Sequence, residues 1–294
     1  MKLEIQLLET LAAIIEEGSF DKAAQRLAVT QSAVSQRLRQ LETRLGKVLV
    51  RRTTPARPTA DGRQLMKYYR QIAHLQAELL QQFALQRDKP EVVAIGVNAD
   101  SLATWLLEAL SELLEPHDWR LEVQVDDQDR THELLHNGEV IGCISSSKTP
   151  VSGCNCFHLG TMTYRALVSP EFYQRYFAKG VTPDTIRLAP CVQYNRKDDL
   201  QKRYLETYFE QKTFSPVHRI PSTESFLDFI VRGFAWGMVP DIQSLEWQRK
   251  GIVQELKPGC TLEVDLYWHI WDLRSQFSQQ LTDAIIRHAQ KVLN

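Results

Sequence analysis

Residues 30–46 read TQSAVSQRLRQLETRLG. At helical spacing Val34, Leu38, Leu41 and Leu45 recur on one side as a core-facing stripe. Ser32, Ser35, Gln36 and Arg39 fall on the other side, which carries no long acid. Side chains of these types hydrogen-bond phosphates and base edges. A helix with two such faces predicts a core of its own domain behind it and phosphates or base edges in front.

The flanking sequence completes a unit around this helix. Upstream, Ile5, Leu8, Leu11, Ala12 and Ile15 mark an amphipathic helix closed by Gly18. Ser19 is a good cap for a second helix, whose small inner residues Ala23 and Ala24, with Leu27, admit a close neighbour. After the short connection Ala28-Val29, Thr30 can cap the two-faced helix, and the three together predict a helix-turn-helix. Downstream, KVLVRRTTPARPTADG (47–62) carries Arg51, Arg52 and Arg57, and Pro55 and Pro58 prevent a helix there. This is the pattern of a wing whose arginines reach backbone phosphates or the minor groove.

From Thr59 to about Leu85 a further helix places Leu65, Tyr69, Ile72, Leu79 and Phe83 in alternate steps of four and three, with Gln76 in the gap. Such a short heptad seam predicts a dimerising linker, the alternative being a helix lying on its own domain. QRDKP, ending at Pro90, then breaks the pattern and predicts a hinge. Beyond it, the apolar runs VVAIGV, RLEVQV, VIGCIS, YRALVS, APCVQY, GMVP and LEVDLYWHIW read as strands. Helices are predicted near Leu102–Leu114, Leu200–Glu210, Ser225–Val231 and Ser275–Val292. That alternation predicts an α/β body with mainly parallel sheets, and its length favours two lobes.

Bulk properties agree. A chain of 294 residues, 43% hydrophobic and 24% charged, is an ordinary globular protein of about two domains. The net charge of −1 hides an asymmetry, because residues 1–65 hold eleven Lys or Arg against seven Asp or Glu, leaving −5 for the remainder. A basic head on an acidic body fits a nucleic-acid partner for the head alone. There is no basic segment followed by an apolar stretch at the N-terminus and no run long enough to span a bilayer, so the expected compartment is the cytoplasm, without a membrane partner. Five cysteines without framework spacing read as thiols. The chain lacks a P-loop, a dinucleotide fingerprint, a GxSxG elbow and an HExxH pair, and His74 and His117 have no evident partners. It is therefore read as a non-enzyme without a cofactor, and WHIW (268–271) as a buried strand.

The segment SFDKAAQRLAVTQSAVSQRLRQLETRLG (19–46), followed by RRTTPARPTADG (51–62), resembles the LysR-type transcriptional regulators. One departure is Val50, where members usually carry an aromatic residue, and a small packing change is expected there. VNADSLATWLL (97–107) and LYWHIW (266–271) extend the similarity to the subgroup that activates arginine and lysine export. The resemblance covers the whole chain. It implies a winged helix-turn-helix (1–58), a dimerising linker helix (59–89) and an effector domain of periplasmic-binding-protein type (90–294). Within that domain the expected lobe I is about 90–163 with 266–294, and lobe II about 164–265. It further implies a homodimer assembling into a tetramer as a dimer of dimers, promoter DNA as partner, and lysine or arginine as effector. RNA polymerase is a further partner expected of such a regulator.

Site residues follow. Gln31, Ser32, Ser35, Gln36 and Arg39 are assigned to the major groove, Arg37 to phosphate, and Arg51, Arg52 and Arg57 to backbone or minor groove. For the effector, VAIGVNADS places Asn98, Asp100 and Ser101 where a strand passes into a helix, the usual ligand position of open α/β sheets. Asp100 also suits simple helix capping. Asp126, Asp127, Ser145 and Ser146 occupy equivalent strand ends, and PSTESF adds Ser222, Thr223 and Glu224 from the second lobe. Glu224 opposed to Asp100 across a cleft would select a dibasic amino acid. CNCFH supports a rival reading as a metal- or redox-responsive sensor. Cys154, Cys156 and His158 alternate and could share a strand face, with Cys143 or His136 as a fourth zinc ligand; the plainer reading is a loop with two incidental thiols. Alternate cysteines on an extended segment are poorly placed for an unstrained disulfide.

Overall fold

The computed structural model describes residues 3–83, 91–114, 119–125, 128–210 and 216–294. The head is built from α1 (Ile5–Glu17), α2 (Phe20–Arg26), α3 (Gln31–Leu45) and a two-stranded wing, β1 (Val50–Arg51) and β2 (Arg57–Pro58). Its helix boundaries are set by local chemistry. Ser19 and Thr30 accept hydrogen bonds from Lys22 N and Ala33 N at the starts of α2 and α3. Gly18 ends α1 at φ +63°, where a Cβ would lie 2.8 Å from Pro55 Cβ, so the wing tip can approach only a glycine there. Val34, Leu38 and Leu41 bury their stripe against Leu7, Leu11, Ile14, Ala23 and Ala24. Val50 is buried and pairs with Pro58, and the register sets Arg51 opposite Arg57.

The linker α4 (Ala60–Gln82) divides along its length. Met66 is buried in the head core, with Leu65 and Tyr69 packed against it, whereas Ile72, Leu79 and Phe83 are 40%, 52% and 66% exposed. The first part of the expected seam is therefore spent on the head of the same chain. Lys67 and Arg70 donate to the carbonyls of Ser152 and Gly138 at 2.9 and 2.8 Å, seating this helix on the body. The hinge predicted at QRDKP lies outside the described residues, as does His117.

The body consists of β3 (Glu91–Val97), α5 (Ala99–Ser101), a π-helical turn (Leu102–Leu106), α6 (Leu107–Leu114), β4 (Trp119–Val125), α7 (Gln128–His136), β5 (Gly142–Ser145), β6 (Cys154–Val168), α8 (Pro170–Phe177), α9 (Pro183–Leu188) and β7 (Cys191–Gln193). It continues with α10 (Leu200–Phe209), β8 (Val217–Arg219), α11 (Thr223–Val231), β9 (Gly237–Pro240), α12 (Asp241–Arg249), β10 (Gln254–Glu255), β11 (Thr261–Trp271) and α13 (Gln276–Val292). The main sheet has the order β10-β6-β11-β5-β3-β4, with β9 also on β6, and β7 pairs β8 separately.

Most of this pairing is antiparallel, which corrects the expectation of mainly parallel sheets. Among the described strands, β3 with β4 and β5, and β7 with β8, run parallel, joined by one isolated parallel bridge between Cys191 and Trp236. The cause is the length of β6, which runs on from CNCFH into YRALV and pairs with β11 from Arg165↔Thr261 to Cys154↔Trp271. A long antiparallel ribbon of this kind needs no crossover helix. β6 and β11 serve both lobes: β11 pairs β5 at Tyr267–Ile270, while β6 pairs β9 at Tyr164–Leu167. The expected lobe divisions at 163/164 and 265/266 thus fall inside these two continuous strands.

Candidate functional site

On the head, α3 presents Gln31, Ser32, Gln36 and Arg39 as exposed side chains, with Ser35 and Arg37 half-buried beside them. Gln31 Nε2 donates to Ser35 Oγ at 3.3 Å and the Thr30 and Ser32 hydroxyls lie 2.9 Å apart, so the start of the helix is held by its own side chains. Arg51, Arg52 and Arg57 are exposed on the wing, and Arg52 lies 5.5 Å over the Phe20 ring. Among the described residues Arg37, Arg39, Arg51, Arg52 and Arg57 have no acidic partner. Several of the head's acids are engaged elsewhere: Glu16 holds Arg26 at 2.7 Å and Glu4 holds Arg44 at 2.9 Å. Cations left unpaired on one face create the field that a polyanion would neutralise.

In the body, a cavity of about 250 Å³ opens where β3 and β5 end. Asn98, Asp100, Ser146 and Thr223 all line it, so the structure brings these four sequence-predicted residues together. Asn98 immediately precedes α5, is buried, and its amide has no hydrogen-bond partner among the described residues. Asp100 Oδ2 accepts a 2.7 Å hydrogen bond from the Tyr164 hydroxyl. Burial pushes the Asp100 carboxyl up to about 6, with Asp198 adding like-charge repulsion and Tyr164 opposing the rise.

Other predicted residues are placed differently. Ser101 is buried outside the lining, and Ser145 is buried with its hydroxyl accepting from Ser147 N at 3.1 Å. Ser222 is spent on capping α11, where it accepts from Ser225 N. Glu224 requires a correction: it is exposed and does not line the cavity. The reason is helical geometry. α11 buries Phe226, Leu227 and Ile230, and at 100° per residue Thr223 shares their side while Glu224 turns away. Asp126 and Asp127 lie outside the described residues.

The acid that does face Asp100 is Asp198, in the loop between β7 and α10. Its oxygens accept from Tyr194 N at 2.8 Å and Leu200 N at 3.2 Å, and burial raises its pKa. Arg203 on α10 and Gln243 on α12 complete the lobe II wall. Asp198 stands at a strand-to-helix corner, after CVQ and before α10, the same kind of position that singled out Asp100 and Thr223. Tyr164 carried no such signal, since it sits in the middle of a strand.

The cysteine cluster is a strand rather than a loop, and its geometry argues against metal. Cys156 Sγ lies 3.8 Å from His269 Nε2, but that nitrogen is 2.7 Å from Ser147 O, and His158 lies 3.7 Å from Asp265. Among the described residues no three His, Cys, Asp or Glu side chains are grouped to hold an ion. Burial pushes the Cys154 thiol up to about 11 and also raises Cys143 and Cys156, which disfavours the thiolate that metal binding and oxidation need. WHIW is the buried end of β11. Among the described residues no helix is long and apolar enough to cross a membrane.

Comparison with known proteins agrees with this architecture. Residues 5–63 match the bacterial regulatory helix-turn-helix protein family of lysR type, and residues 86–290 match the LysR substrate binding domain. The transcriptional regulator ArgP of Vibrio vulnificus is 39% identical over 292 residues, covering 98% of this chain and 97% of its own. ArgP of Klebsiella pneumoniae is 38% identical over 291 residues, covering 99% and 98%. Among solved structures, ArgP from Mycobacterium tuberculosis superposes with a TM-score of 0.92 at 36% identity, covering 100% of this chain and 99% of that one. Full-length LysG from Corynebacterium glutamicum, with bound effector Arg, superposes with a TM-score of 0.84 at 34% identity, covering 99% and 100%. These relatives are regulators and not enzymes, and with its unpaired basic head face and its two-lobed cavity the chain belongs to the LysR family of transcriptional regulators, of the ArgP and LysG type.

Proposed function

We propose that this regulator senses lysine or arginine in the cavity between its lobes and thereby alters how it holds promoter DNA of genes for basic amino acid export or metabolism. The single observation that carries the reading is Asp100, a carboxyl held in a low-dielectric wall beside a second acid, with no cationic side chain bonded to it among the described residues. A cationic side chain or ammonium entering there relieves both burial and like-charge repulsion. The arginine bound to LysG, a relative of the same size, supports the same effector class.

DNA is gripped by Gln31, Ser32, Ser35, Gln36 and Arg39 in the major groove, with Arg37, Arg51, Arg52 and Arg57 on backbone or minor groove. The half of α4 left exposed at Ile72 and Leu79, with Phe83 just beyond its end, pairs with its counterpart in a cytoplasmic homodimer, and two dimers form the tetramer that contacts RNA polymerase. Effector binding can shift the assembly only through unequal affinity for its two forms. The test is footprinting of the full-length protein on the promoter of a basic amino acid exporter, with lysine, arginine or neither present. A protected region that changes with one of the two supports the reading, and protection indifferent to both, together with no calorimetric heat from either, removes it.

A further inference from the structure

The cavity lining holds two cations, Lys197 and Arg203, as well as acids, and this is not what a sensor of simple cations would need. Lys197 already has a partner of its own. Arg203 projects from α10, on lobe II, into the lining that also holds Asp100 of lobe I. Among the described residues its guanidinium has no acidic partner, although three acids, Asp100, Asp198 and Asp199, line the same space. Arg165, by contrast, is fully committed to Asp241 at 2.7 Å and Glu255 at 2.9 Å. Asp198 makes no ion pair with Arg203, and its oxygens accept the backbone N–H groups of Tyr194 and Leu200 instead. Arg203 is itself exposed at the edge of the cavity, and an unpaired guanidinium there can meet a carboxylate with two parallel hydrogen bonds.

The other candidate carboxylate site is the start of α5, where helix N–H groups point outward. Asp100 sits in that first turn and already places a negative group there. A second carboxylate at the same end would face it directly. The carboxylate of a bound amino acid is therefore directed to the opposite wall. We propose that Arg203 is a specificity-determining residue that takes the effector's α-carboxylate from lobe II while Asp100 takes its cationic side chain from lobe I. The cavity then distinguishes a free dibasic amino acid from the diamine left by its decarboxylation. A ligand with both ends bridges the lobes, and a diamine engages lobe I alone. This rests on the reading of the cavity as a basic amino acid site.

The experiment is isothermal titration of the full-length protein with L-lysine, cadaverine, L-arginine and agmatine, repeated on Arg203→Gln and Arg203→Lys, with thermal melting to verify folding. In the parent protein each diamine is expected to bind about tenfold or more weakly than its amino acid. Arg203→Gln should bring the amino acid down to the level of its diamine, and Arg203→Lys should restore part of the gap. Equal binding of amino acid and diamine by the parent protein, or a gap that survives in Arg203→Gln, overturns the assignment of Arg203 while leaving the sensing of basic amino acids intact. Binding of neither amino acid by the parent protein removes that reading and this inference together.

Discussion

The polar face of the head and the cavity of the body are both built to meet charge, yet they are assembled in opposite ways. The head uses one continuous helix, in which Gln31, Ser32, Ser35, Gln36 and Arg39 share a side because of the 3.6-residue repeat. The cavity gathers Asn98, Asp100, Ser146, Tyr164, Asp198 and Arg203 from segments far apart in the chain. The first stays solvated, so each contact there contributes modestly and salt weakens it. The second removes its acids from water, so a single group carries much of the outcome.

The largest effect should come from the cavity. Asp100→Asn keeps the shape and the Tyr164 contact but removes the charge, and affinity for lysine or arginine should fall by about a hundredfold in calorimetry. DNA binding without effector should be unaltered. If Asp100→Asn binds as the parent does, the contrast between a charge-critical cavity and a distributed head fails. On the head, Arg39→Ala should cost on the order of 2 kcal/mol of promoter binding, read by fluorescence anisotropy. It should leave the ligand titration untouched.

The pH response follows from Asp100. Its carboxyl is pushed up to about 6, and a bound cation favours the ionised form, so below that pH a proton must leave as the ligand enters. Affinity for lysine should therefore fall about tenfold between pH 7 and pH 5 in the parent protein, and Asp100→Asn should flatten this dependence. Arg57→Ala should lower the slope of promoter affinity against salt by about one unit across all sequences, since a phosphate contact carries no base information. The smallest effect is expected at Glu224. Glu224→Gln should change amino acid affinity by less than about twofold, and a large loss would put Glu224 back into the cleft.

Glu224 also marks where reading a sequence ends. Thr223 and Glu224 are adjacent and both polar, and a strand-to-helix corner makes either a candidate. Which one enters the cavity depends on how α11 is rotated by burying Phe226, Leu227 and Ile230. Asp198 satisfied the same corner rule as Asp100, but the loop around it is organised only when its oxygens cap Tyr194 N and Leu200 N. The parallel sheet expected of alternating strands and helices gave way to antiparallel pairing because CNCFH and YRALV form one strand, masked by polar residues on its exposed face.

Whereas α7, α8, α9 and α12 were not legible in the chain alone, the helices and wing of the head with their caps, the polar face of α3, the alternation of strands and helices in the body and the corners at Asp100 and Thr223 were. Each depends on neighbours within a few residues, where spacing and capping act. The antiparallel union of β6 with β11, the burial of half the linker in its own head, and the meeting of Asp100 with Asp198 and Arg203 came only with folding. Those contacts join residues with long loops of chain between them. Their partners are chosen by packing across the whole molecule, which no local periodicity encodes.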